Sequence, residues 1–283
     1  MSSTVIYGDD FDRYLEQGLA PEQFDYRFLV EGDSWMDRSA ATSASLPVYL
    51  AQALEAGGSD VLIINLALFG DTMRRIGECL DDRFYQWVHT AFDWKFDAIL
   101  LSAGGNDFID AARDPDPGMG ILNNLQGLPP PASEAGCINA DAVTTLMTDY
   151  LDPNFAKLYD TVQASRHADV PIFLNNYDTP VARDAPAYRG GRSWLYEAYT
   201  KNHIPAGLWH DLTARIFIDL QTSIAGWALG RPSIHVVPTH GVLTPAGAGT
   251  TGSNGDWLNE IHPNKAGWRK LAGVWKETIE NVL

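Results

Sequence analysis

Basic residues are scarce in this chain: 20 Lys+Arg stand against 36 Asp+Glu over 283 residues, a net charge of −16. Such an acidic balance disfavours nucleic acid and anionic membrane surfaces as partners, since neither would meet a counter-charged face. No run of Lys or Arg marks a local exception. Cysteine is scarcer still. Cys79 and Cys137 cannot build a disulfide framework or a cysteine-based zinc site, and beyond one isolated bridge the expectation is two ordinary thiols. No apolar run approaches the roughly 18 residues of a membrane span. The opening stretch MSSTVIYGDDFDRYLEQG has neither the basic nor the apolar region of a secretory signal, so a cytoplasmic protein is expected. Also missing are a Gly-Lys-Ser/Thr phosphate loop, an H-E-x-x-H zinc motif and the G-x-S-x-G elbow of α/β-hydrolases.

What is present is core-forming material, 45% hydrophobic and 11% aromatic, which excludes a disordered chain. Short apolar runs read as strands buried on both faces: Tyr26–Glu31, Val61–Asn65, Phe96–Ser102, Val170–Asn175 and Ser233–Val237. Helical patterns lie between them, at 44–57, 72–92, 141–167, 206–229 and 264–281. Five alternations of strand and helix, with no linker or repeat, predict one domain over 1–283. Its expected fold class is α/β: a three-layer α/β/α sandwich around a flavodoxin-like parallel sheet of about five strands. Two long segments, 108–139 and 177–205, are rich in Pro and Gly and follow strand carboxyl ends. Open α/β sheets bind ligands at that edge, so both segments are expected to act as lids or binding loops.

Four short motifs fall at the same edge. Gly32-Asp33-Ser34-Trp35 follows the first predicted strand, and Leu68-Phe69-Gly70-Asp71 follows the second. Gly104-Gly105-Asn106-Asp107 follows the third, and Asn259-Glu-Ile-His262-Pro-Asn264 opens the last helix. Each has a plain structural reading taken singly: a helix-capping serine, a loop glycine, a turn asparagine. Taken together and in order, they resemble the four blocks of the SGNH (GDSL) hydrolase superfamily, and the resemblance spans residues 32 to 264. It implies a serine ester hydrolase, with Ser34 as nucleophile and His262 as general base. It also implies an oxyanion hole built from the Ser34 and Gly70 amides and the Asn106 side chain. The chemistry is coherent: a serine hydroxyl needs a base near neutrality, and a developing oxyanion needs fixed neutral donors. The resemblance calls for no metal or organic cofactor. It implies a small-molecule, glycan or lipid ester as substrate. An acyltransferase, a thioesterase or an inert binding protein would carry the same motifs.

The sequence departs from the family in two places. Block I ends in Trp35 where Leu is usual, which leaves the serine in place. In the last block the family has Asp three residues before the histidine, and here Asn259 stands. Asn259 is the expected partner of the imidazole, as in Cys-His-Asn proteases, ahead of Asp256 or a backbone carbonyl. Gly247-Ala-Gly249-Thr-Thr-Gly252 satisfies G-x-G-x-x-G but leads into no helix, so it reads as a loop near His262. The other histidines, 89, 167, 203, 210, 235 and 240, have no ligand spacing. Among the nine tryptophans, Trp35, Trp194 and Trp257 fall near these motifs, with packing as the expected role.

Overall fold

A computed structural model of the chain describes residues 2–37, 45–77, 83–90, 92–116 and 118–283. Its strands are β1 (Thr4–Tyr7), β2 (Tyr26–Gly32), β3 (Val61–Asn65), β4 (Ala98–Ser102), β5 (Ile172–Asn175) and β6 (Ile234–Val237). All pair in parallel, in the order β1-β3-β2-β4-β5-β6. Without β1 this is the flavodoxin-like order, whose ligand crevice lies where the strand order reverses. Here that point is the gap between the carboxyl ends of β2 and β4. The predicted strands were the runs of Val, Ile and Leu, and β3 and β4 are buried at every position.

The sixth strand is a difference from the expected five. Thr4-Val-Ile-Tyr7 buries only Ile6. It is a four-residue edge strand with one face to the core, too short and too exposed to leave a run of apolar residues.

The helices are α1 (Phe11–Glu16), α2 (Leu46–Ala56), α3 (Met73–Gly77), α4 (Arg83–His89), α5 (Gly105–Arg113), α6 (Ala140–Thr145), α7 (Asp152–Gln163), α8 (Leu195–Lys201), α9 (Trp209–Ala228) and α10 (Lys265–Glu280). On one side of the sheet α2 packs against α10, and on the other α3, α4 and α9 gather around α7. The segment expected as one helix at 141–167 is α6 and α7 joined through a π turn at Leu146–Leu151. That turn inserts a residue where Asn154 Nδ2 reaches back to the Tyr150 carbonyl.

Neither long segment is structureless. Residues 108–113 belong to α5, and the rest of the first segment is pinned by an antiparallel bridge between Leu122 and Ile138. The second contains α8. Cys137 is buried, and Cys79 lies outside the described residues. Among the described residues no helix is long and apolar enough to cross a membrane.

Candidate active site

β2 ends in Gly32, whose φ of +148° and tight approach to β4 leave no space for a side chain: a Cβ there would sit 2.4 Å from the Ser102 carbonyl oxygen. The chain then turns sharply, with the Met36 and Asp37 amides both donating to the Asp33 carbonyl at 3.0 Å. Ser34 rides on this turn. It does not cap α2, whose N-cap is Ser45.

Beneath the turn lies a buried polar network. Asp33 Oδ1 accepts from the Trp35 amide at 3.0 Å, and Oδ2 accepts from the Tyr177 hydroxyl at 2.5 Å. Ser102 Oγ is 3.1 Å from both Asp33 Oδ1 and the Tyr177 oxygen, and it accepts from Asn175 Nδ2 at 3.0 Å. Burial pushes the Asp33 carboxyl up to about 7, against the opposing pull of Tyr177, Trp35 and Ser102.

From 228 positions away, His262 Nε2 comes to 2.8 Å from Ser34 Oγ. Its Nδ1 is 3.0 Å from Asn259 Oδ1, which also accepts the backbone amides of Ile261 (3.1 Å) and His262 (2.8 Å). Those contacts fix the protons. Backbone amides only donate, so the Asn259 atom facing them is the oxygen, and Nδ1 must therefore carry hydrogen. Nε2 is left with its lone pair toward the Ser34 hydroxyl. Phe69 stacks near the ring (centroids 6.3 Å apart), and Trp194 meets it edge-on at 5.4 Å.

Of the three candidates to orient His262, the Asn259 side chain is the one in contact with Nδ1 among the described residues. Asp256 turns to the Thr244 amide (2.6 Å) and Lys270 Nζ (2.5 Å). Its burial is outweighed by those two partners, and its carboxyl sits below the usual range. With no carboxylate at Nδ1 and the ring 1% exposed, burial alone pushes the His262 imidazole down to about 4.

Of the expected donors, Asn106 lines the same cavity as Ser34. Neither the Ser34 nor the Gly70 amide has an acceptor among the described residues. Gly70 holds φ +78°, a left-handed turn that favours glycine. Leu68 N donates to the Gly32 carbonyl at 3.0 Å, which ties this loop to the Ser34 turn. Asn106, in the first turn of α5, donates one Nδ2 hydrogen to the Asp71 carbonyl at 2.8 Å, so its second remains. The neighbouring Asp107 accepts the Met73 amide at 2.8 Å and caps α3.

Sequence reasoning missed three residues that build this site. Glu260 is fully buried, and its carboxylate accepts four backbone amides, those of Arg183, Trp194, Leu195 and Tyr196. Arg183, 1% exposed, donates to the carbonyls of Asn259 (2.6 Å) and Gly252 (2.5 Å). The glycine-rich loop at 247–252 is thus held beside the His262 turn, as a loop and not a nucleotide cradle. Tyr177 is the third, at φ +44°, an unusual conformation for an aromatic residue. A buried acid two residues before His262 was the one legible signal. Trp35 and Trp257 pack in the core with Trp268, and Trp194 alone of the three flanks the histidine. Among the described residues no group of three or more His, Cys, Asp or Glu side chains gathers that could hold a metal ion.

No family model matches the chain, and no curated protein does. Solved structures do. A lipase, Lip_vut3, from a goat rumen metagenome is 14% identical, covering 89% of this chain and 97% of its own, with a TM-score of 0.56. A possible lipase from Chitinophaga pinensis is 12% identical, covering 91% and 99%, with a TM-score of 0.52. At such identities the likeness is one of fold, and it is the α/β/α fold that the motif resemblance implies.

Proposed function

We propose that the protein is a serine ester hydrolase of the SGNH type. The observation that carries the reading is the 2.8 Å contact between Ser34 Oγ and an imidazole nitrogen whose lone pair faces it. Ser34 Oγ attacks an ester carbonyl while its proton passes to His262 Nε2. The carbonyl oxygen becomes an oxyanion among the Ser34 amide, the Gly70 amide and Asn106 Nδ2. Collapse breaks the bond to the alcohol oxygen, which takes the proton from Nε2, and leaves an acyl-Ser34. Water then repeats the sequence, giving its proton to His262 and releasing the acid.

The test is a fluorophosphonate probe, with the adduct mapped by mass spectrometry. Labelling at Ser34, absent from Ser34→Ala, is expected; a folded wild type that forms no adduct overturns the reading.

Asn106→Ala is expected to lower kcat by about 10²–10³-fold, the usual cost of one oxyanion donor. Its KM for a small aryl ester should stay near wild type, because the donor matters most once charge develops. A matching loss in KM alone would place Asn106 outside the oxyanion hole.

Burial of the imidazole, with no carboxylate at position 259 to oppose it, sets the expected pH profile. A base must be neutral to accept a proton, and the buried imidazole stays neutral down to about 4. The acid limb of kcat/KM is therefore expected near pH 4, below the ordinary histidine range. In Asn259→Asp a carboxylate beside Nδ1–H stabilises the imidazolium, so the limb moves upward. A limb that stays put in that variant would show that position 259 has no electrostatic hold on the base.

A further inference from the structure

We infer that the site has an acyl subsite sized for acetyl, which rests on the hydrolase reading above. Beside Ser34 and Asn106 lies a cavity of ≈ 20 Å³ walled by Trp35, Ile109, Tyr177, Pro180, Phe217 and Ile261, with Asp33 and Asp178 also on its lining. His262 does not line it. In the tetrahedral adduct the leaving alcohol oxygen must face His262 Nε2 to receive its proton. A cavity that touches the nucleophile and an oxyanion donor, but not the base, is therefore where the acyl carbons go. One water-sized group needs about 10–15 Å³ on this measure. The cavity holds a methyl and little more.

Its walls are fixed. The Tyr177 hydroxyl is bound to Asp33 at 2.5 Å, and Trp35 Nε1 donates to the Ile261 carbonyl at 3.2 Å. Ile109, Tyr177, Phe217 and Trp35 are each no more than 5% exposed. Enlarging the pocket means displacing packed or hydrogen-bonded side chains rather than swinging free ones. The alcohol side differs: Leu68 and Phe69, next to Gly70 and His262, are 44% and 52% exposed. The geometry thus favours a minimal acid, with a more exposed side at Leu68 and Phe69 for the alcohol.

The experiment measures kcat/KM for the p-nitrophenyl esters of acetate, butyrate and octanoate, whose intrinsic reactivities are close. Fluorophosphonate labelling of Ser34 runs in parallel on every protein. A misfitting methylene costs about 10- to 200-fold, so wild type is expected to favour acetate over butyrate by at least about 10-fold and to cleave octanoate hardly at all. Phe217→Ala on α9 and Ile109→Ala on α5, neither in the reacting set, are expected to raise the butyrate-to-acetate ratio by about 10-fold or more. Phe217→Leu is the milder variant should the alanine not fold.

Labelling with octanoate turned over as well as acetate overturns the subsite. So does acetate preference that none of the wall variants relaxes. No labelling and no turnover of any ester overturns the hydrolase reading instead.

Discussion

His262→Ala is expected to lower kcat/KM by about 10⁴–10⁶-fold, the range seen when the base of such a unit is removed. The reason is local. Among the described residues Ser34 Oγ has one basic nitrogen within reach, at 2.8 Å, and the nearby acids are engaged elsewhere: Asp33 with Tyr177, Asp178 with the Gly241 and Leu243 amides, Asp256 with Lys270 and Glu260 with four amides. Among the described residues no other free base faces the Ser34 hydroxyl. Because nucleophile and base act as a unit, the double variant Ser34→Ala/His262→Ala should be no slower than either single one.

Stability should change little. Asn259 Oδ1 keeps its two backbone amides without the imidazole. A neutral ring whose burial already opposes protonation is also a modest loss. Its depressed pKa contributes stability present above about 6.5 and lost as pH falls toward about 4, because the unfolded chain binds the proton more readily. Removing His262 should therefore soften the acid denaturation profile. Circular dichroism melts beside the kinetics check both, and undiminished turnover in the variant would refute the assignment.

How much of this was legible in the sequence depends on where the deciding contacts lie. β3 and β4 announced themselves because a strand covered on both faces is a near-continuous apolar run, here broken only at the buried Asn65 and Ser102 at their carboxyl ends. Three of the four motifs follow strand carboxyl ends, where the strand order 3-2-4 brings separate turns to one crevice, and the fourth opens α10. Ser34, Asn106 and His262 could be named because the ordered motifs resemble those of the SGNH hydrolases. Their neighbours could not. Glu260 caps α8 from 64 to 66 positions away, and Tyr177 bolts the nucleophile turn from 144 away. Neither leaves a periodicity. The same holds for the choice at the base: Asn259, Asp256 and Glu260 are near His262 in sequence, yet only the first points at the ring. The pairing that decided it, Asp256 with Lys270 on α10, spans 14 residues and appears only once the loop is folded.

Glu260 carries the largest expected effect on stability. Glu260→Ala is predicted to lower the unfolding free energy by about 3–5 kcal/mol, the cost of stripping one side from a buried charged set. Oε1 accepts from Arg183 N (3.0 Å) and Tyr196 N (2.7 Å), and Oε2 from Trp194 N (2.5 Å) and Leu195 N (3.0 Å). Three of these are first-turn donors of α8, which have no partner inside the helix. Burial pushes the carboxyl up to about 7, while the four donors favour its charged form. Glu260→Gln separates shape from acceptance. It keeps the volume but turns an N–H group toward amides that can only donate, so its loss should approach that of alanine. Urea denaturation measures both. A glutamine variant as stable as wild type would show that the side chain fills space and little else. Activity should fall with stability, because Glu260 lies two residues from His262 and fixes the strap from Arg183 to Tyr196 against its turn. Trp194, which packs against the imidazole, sits on that strap. One buried carboxylate thus joins the second long segment to the His262 turn, and the acid nearest His262 in the sequence serves its position rather than its charge.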